Sequence, residues 1–192
     1  MGFLRDHLTT RNRSTCEPGW GLPRYVASPY EESMAATDID VRSATALDRE
    51  TIIDLLIAQL SEHAIDTPRA AVCRAIDGML ANDSRGFVLI ARRGPRVAGV
   101  AYVAFTWTLE HGGKSAWLEE FYVVPAQRNQ GIGAALLSVA LQRARAAGCA
   151  AVDLEVDRAH ARAAHLYTRA GFTPLTRERW VRSLSSHDPQ ES

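Results

Sequence analysis

The chain has 192 residues, 46% hydrophobic and 23% charged, with 22 basic against 22 acidic residues. That suits one globular domain with a single sizeable core. A formal net charge of +0 argues against a partner bound by neutralising phosphates, so no nucleic acid is expected.

Residues 1–36 hold Pro18, Pro23, Pro29, Gly19 and Gly21 without sustained periodicity, which reads as a disordered N-terminal extension. Arg5, Arg11 and Arg13 are not followed by a continuous apolar run, which does not fit a secretory signal and makes the cytoplasm the expected compartment. Met34 lies just before the first strand-like segment, and two readings stand: Met34 as the biological start, or a genuine flexible tail before it. A domain is expected over 37–184 and a flexible tail over 185–192.

Ile39 to Arg42 alternates as a short strand, and Ala46 to Leu60 is a mostly buried helix carrying Leu47, Ile52, Ile53, Leu55, Leu56 and Leu60. A second helix runs from Pro68 to about Leu80. Phe87 to Ala91 and Val97 to Trp107 are strands joined at Arg92-Arg93-Gly94-Pro95. Within them Val97 to Phe105 is the longest apolar run, about half a membrane span, so no membrane partner is expected. A third strand follows, Ala116 to Val124, ended by Pro125. Then come a helix from Ile132 closed by Gly148, a strand Ala150 to Val156, a helix from an Asp157 cap to Arg169 closed by Gly171, and strands Phe172 to Thr176 and Arg179 to Leu184. The fold class is α+β, about seven strands in a mixed, mostly antiparallel sheet with about four helices. Cys16, Cys73 and Cys149 are odd in number and far apart, so reduced thiols and no metal are expected. Lys114 is the only lysine among 22 basic residues, an arginine bias that points to a GC-rich bacterial genome.

Chemistry concentrates in Val124-Pro125-Ala126-Gln127-Arg128-Asn129-Gln130-Gly131-Ile132-Gly133-Ala134, a strand end, a polar loop and two glycines opening an apolar helix. The first amides of a helix lack intrahelical acceptors and carry the positive end of its dipole, so a phosphate can sit there. Gly131 and Gly133 are expected to let it approach the backbone. A Walker A loop and a dinucleotide fingerprint fail on spacing, since position 136 is Leu.

Arg128-Asn129-Gln130-Gly131-Ile132-Gly133 resembles the Arg/Gln-x-x-Gly-x-Gly/Ala signature of the GNAT superfamily of N-acetyltransferases. His160 to Tyr167 with Gly171-Phe172 resembles its later motif, His160 replacing the usual Asn. Leu118-Glu119-Glu120-Phe121-Tyr122-Val123 is similar to the Leu-Glu-Asp-Phe-Phe-Val segment of the diamine (polyamine) branch. The resemblance implies the GNAT acyl-CoA N-acyltransferase fold, acetyl-CoA as co-substrate, and a diphosphate on the amides of Arg128 to Ala134. It implies pantetheine along Phe121, Tyr122 and Val123, whose amides could polarise the thioester carbonyl, with His160 and Ala163 near the cofactor. It selects Glu119 as general base and Tyr167 as general acid. Because strand side chains alternate, Glu119 and Glu120 are expected on opposite faces.

The acceptor is expected to be a small primary amine, polyamine-like or amino-acid-like, attacking directly in a ternary complex. Glu62, Asp66, Glu110 and Glu155 are candidates to hold its second cationic centre, and Trp107 and Trp180 to wall its site. Alternatives are a protein lysine or N-terminal amine as acceptor, and a non-catalytic acyl-CoA-binding module. A homodimer fits the family's habit.

Overall fold

The computed structural model describes residues 38–156, 161–182 and 184. Within them five strands form one sheet in chain order: β1 Ile39–Ser43, β2 Gly86–Arg93, β3 Arg96–Thr108, β4 Gly113–Val123 and β5 Val152–Leu154. Neighbours are antiparallel except β4 and β5, which are parallel. Four α-helices accompany them: α1 Arg49–Glu62, α2 Arg69–Leu80, α3 Ile132–Ala146 and α4 Ala161–Arg169.

The helices divide between the two faces of the sheet. Ile52, Ile53 and Leu56 of α1 and Val72, Ile76 and Met79 of α2 pack on Val88, Ile90, Val100 and Tyr122. Ile132, Leu136 and Leu137 of α3 and Tyr167 of α4 pack on Leu89, Ala101, Val103, Ala116 and Leu118. A strand covered on both faces must be apolar at every position, which is why Val88-Leu89-Ile90-Ala91 runs without a polar break.

Local chemistry starts and stops the helices. Ala46–Asp48 forms a single 3-10 turn, and the α-helix proper begins at Arg49. Asp48 accepts bonds from the Thr45 N–H (2.8 Å) and hydroxyl (2.9 Å) and is paired with Arg42 at 2.8 Å. Leu47 is 97% exposed and stands outside the buried stripe, because the 3-10 turn rotates it away from the face that Ile52 and Leu56 bury. α3 ends before Gly148 with the Cys149 N–H on Ala144 O (3.0 Å), and α4 before Gly171 with the Phe172 N–H on Tyr167 O (3.0 Å), six-to-one closures that glycine permits. Lys114 packs its ammonium 3.7 Å from the Phe105 ring centroid and donates to Ala147 O (3.1 Å).

Three strand expectations change. The strand over Ala150 to Val156 shortens to β5. Residues 172–182 form no strand: Pro174 lacks an N–H, Leu175, Trp180 and Val181 are exposed, and side-chain pairs rather than a ladder hold the segment, Arg177 to Glu110 and Arg179 to Glu155, both at 2.7 Å. The extension 1–36, Cys16, the Asp157 cap and the tail 185–192 lie outside the described residues. Leu136 is fully buried, so Leu136→Ala is expected to cost about 2 to 5 kcal/mol, read as a lowered midpoint in denaturant unfolding.

Candidate functional site

The loop between β4 and α3 makes one 3-10 turn, Pro125–Gln127. Asn129 (φ 63°) and Gly131 (φ 82°) then take left-handed backbone conformations, which asparagine tolerates and glycine adopts freely. The first main-chain N–H of the helix to find a carbonyl is that of Ala135, on Gly131 O (3.0 Å). Among the described residues no main-chain bond engages the N–H groups of Asn129, Gln130, Gly131, Ile132, Gly133 or Ala134. Six donors therefore converge at a helix N-terminus, with Arg128, Asn129, Gln130 and Gly131 exposed. A Cβ at Gly133 would meet Leu166, Phe121 and Val123 in ordinary van der Waals contact at 3.5 to 3.8 Å, so the packing of α3 on β4 does not itself demand glycine there, whereas the left-handed turn at Gly131 favours one.

β4 is irregular where the motif places the carboxylates. Glu120 pairs with Tyr102 and Leu118 with Val103, leaving Glu119 as the extra residue of a β-bulge. Among the described residues β5 pairs only with Ala116, Trp117 and Leu118 of β4, so beyond Leu118 β4 is paired on its β3 side alone. The Val124 N–H donates to Ala98 O on β3 (2.9 Å). Counting back along the ladder, Tyr122 and Glu120 turn their main-chain groups to β3, and Phe121 and Val123 turn theirs to the open edge.

The bulge also overturns the expectation that the two glutamates face apart, because an inserted residue breaks the alternation. Both carboxylates act on the Tyr102 hydroxyl, raising its pKa behind the larger effect of burial, and Arg179 opposes the upward shift of each. Burial raises Glu119, which is still exposed in part. Burial first, and the Glu119 charge second, push Glu120 up to about 7. Gln59 Nε2 donates to Glu120 Oε2 (2.5 Å), and the amide oxygen of Gln59 is buried without a partner. One turn further along α1, Glu62 Oε1 accepts from the Tyr122 hydroxyl (2.9 Å). Residues three apart on a helix meet residues two apart on a strand, so α1 is pegged across β4 by two polar contacts.

The other sequence candidates scatter. Arg128 Nη2 is bonded to Glu62 Oε2 (2.7 Å), while Glu110 and Glu155 are paired with Arg177 and Arg179. Asp66 is exposed beyond α1, Trp107 is 80% exposed on β3 and Trp180 87% exposed. Tyr167 lies on the opposite face of β4, its ring edge-on to Phe121 (6.1 Å) and Phe172 (5.7 Å), and burial pushes it up to about 12. Ala163 packs against the same cluster, and His160 lies outside the described residues. Sequence reasoning missed Gln59 and Tyr102. The legible signal for Gln59 was an amide three residues before Glu62 on an otherwise apolar stripe.

Free amides, an open strand edge and a bulged acidic pair thus lie along one strand and the loop that follows it. A family model described as acetyltransferase (GNAT) family matches residues 49–172. The chain belongs to that family. It is 29% identical over 188 residues to a mycothiol acetyltransferase of Stackebrandtia nassauensis, covering 94% of this chain and 56% of that protein. It is 28% identical over 135 residues to an aminoalkylphosphonate N-acetyltransferase of Salmonella typhimurium, covering 69% of this chain and 84% of that protein. The fold superposes on an integron cassette protein from the mobile metagenome of Cole Harbour Salt Marsh with TM-score 0.68 and 26% identity, over 76% of this chain and 90% of that one. The chain spans about half the length of the mycothiol relative it matches first.

A carboxyl whose folded-state pKa is raised favours folding while protonated. That contribution is lost as pH climbs from the ordinary glutamate range through about 7. Glu120→Gln is therefore expected to melt above wild type at pH 8 and level with it at pH 5, read by scanning calorimetry.

Proposed function

We propose that the chain is an N-acetyltransferase that moves the acetyl group of acetyl-CoA to a primary amine of a small molecule, polyamine-like or amino-acid-like, in a ternary complex. GNAT acetyltransferases use acetyl-CoA, whose thioester supplies the activated acetyl group. The observation that carries the reading is the parting of β4 from β5 after Leu118, which leaves the edge groups of Phe121 and Val123 without a strand partner among the described residues, the Val123 carbonyl taken only by the Arg128 side chain, beside the unengaged amides of 129–134. Six N–H donors at a helix N-terminus suit a diphosphate in charge and geometry, and an open edge suits the amides of a pantetheine arm. Arg128 to Ala134 would hold the first, and Phe121, Tyr122 and Val123 the second, with Ala163 on the α4 side and His160, outside the described residues, in the part its motif implies. The functional relatives support a small-molecule acceptor: their names specify mycothiol and aminoalkylphosphonate acetyltransferases.

Glu119 is the general base in this reading. An amine acceptor with a pKa near that of lysine, about 10.4, is protonated at neutral pH and must give up a proton before it attacks. The exposed member of the bulged pair receives that proton, and partial burial raises its basicity. The open-edge N–H of Phe121 or Val123 steadies the negative charge that develops on the acetyl oxygen. The bond to sulfur breaks as the bond to nitrogen forms, and Tyr167, kept protonated by burial, gives its proton to the departing sulfur and regains one from solvent. Base and acid lie on opposite faces of β4, so the amine enters from the α1 side and the thiol leaves from the α4 side.

Steady-state thiol release over a panel of diamines, amino acids, aminoglycosides, aminophosphonates and peptides tests the activity. Glu119→Gln is expected to lower kcat by about 10² to 10⁴-fold with CoA affinity kept, and Tyr167→Phe to lower kcat in the same sense. CoA binding with no thiol released on any amine, and Glu119→Gln equal to wild type, would favour a non-catalytic acyl-CoA module instead.

A further inference from the structure

The cofactor loop and the end of α1 are joined by a charge clasp. Arg128 donates from Nε to Val123 O (2.8 Å) and from Nη2 to Glu62 Oε2 (2.7 Å), with its guanidinium 5.5 Å from the Tyr122 ring centroid. Glu62 is fixed from its other side by the Tyr122 hydroxyl (2.9 Å), and these partners, Arg128 first, hold its carboxyl below the ordinary glutamate value. Two facts follow from the placement. The Val123 carbonyl belongs to the open edge of β4, so the arginine stands where an extended partner would pair. Glu62 lies one helical turn from Gln59 on the side of the sheet that carries Glu120, so it is a carboxylate of the acceptor face with its charge already neutralised.

We propose that Glu62 is a specificity-determining carboxylate for a second ammonium group on the acceptor, covered by Arg128 in the free enzyme and uncovered when CoA draws Arg128 off Val123 and Glu62. The inference rests on the diphosphate reading of the 128–134 loop. The exchange is downhill for the arginine. Its side chain is 41% and that of Glu62 38% exposed, and ion pairs so wetted are held weakly, whereas a dianionic diphosphate accepts two parallel N–H bonds from one guanidinium. Departure of Arg128 frees the Val123 carbonyl for a strand-like partner and leaves Glu62 ionised and still anchored by Tyr122. One movement thereby completes the cofactor edge and creates the cation subsite. By linkage, CoA and a dicationic acceptor each strengthen the binding of the other, whereas a monoamine gains nothing from Glu62.

Calorimetric titration of CoA into the full chain, wild type and Glu62→Gln, provides the test, paired with kcat/KM ratios for dicationic over monocationic amines of matched length. The expected result is CoA binding roughly two- to fivefold tighter in Glu62→Gln, because Arg128 is released in advance, together with a dication preference in wild type that falls toward unity in the variant. Unaltered or weaker CoA binding in Glu62→Gln, with wild type binding normally, overturns the clasp and leaves the loop reading standing. An amine ratio unaltered by the substitution overturns the specificity role. No heat from CoA with either protein overturns the loop reading itself, and the clasp with it.

Discussion

The whole site depends on β4 parting from its neighbour. A parallel pair that continued past Leu118 would consume the main-chain groups of Phe121 and Val123 in a ladder, and a regular strand would turn Glu119 and Glu120 to opposite faces. The bulge at Glu119 does two things in one residue: it ends the in-step pairing and gathers two carboxylates at the point where the edge opens. Bulges commonly re-aim side chains in this way, and here the result is an acidic pair in which burial, and after it the Glu119 charge, pushes Glu120 up to about 7.

Around that opening, each packed layer contributes one function. The α1–α2 layer brings Gln59 and Glu62 down onto β4, and the α3–α4 layer brings the free helix amides and Tyr167 up to the same strand. The rigidity comes from β2 and β3, which are buried on both faces and fix β4 in register through ten paired positions. A site suspended between two cores this way needs no long loop of its own, and the loop that it has, 124–131, is short and set by left-handed turns at Asn129 and Gly131.

Much of this was legible in the chain itself. Helix ends at Gly148 and Gly171, the hairpin at Gly94-Pro95, and the glycine-bearing loop that opens α3 all follow from local rules in which a residue's own conformation decides. What was hidden depends on partners. The bulge exists only relative to β3, so Leu118-Glu119-Glu120-Phe121 looks like uninterrupted alternation. Phe172 to Thr176 and Arg179 to Leu184 have strand-like composition, but composition is silent on whether a neighbouring edge is there to receive them. The free carboxylates expected at Glu62, Glu110 and Glu155 became ion pairs because arginines distant in sequence, Arg128, Arg177 and Arg179, fold back on them.

The arginine bias of the chain has a further chemical meaning. Guanidinium groups are too weakly nucleophilic at neutral pH to take an acyl group from a thioester, so a surface built on arginine is inert toward activated acetyl donors. Lys114 is the one side-chain amine in the sequence, and it is spent on the Phe105 ring and the Ala147 carbonyl. A catalyst with this surface is guarded against labelling itself.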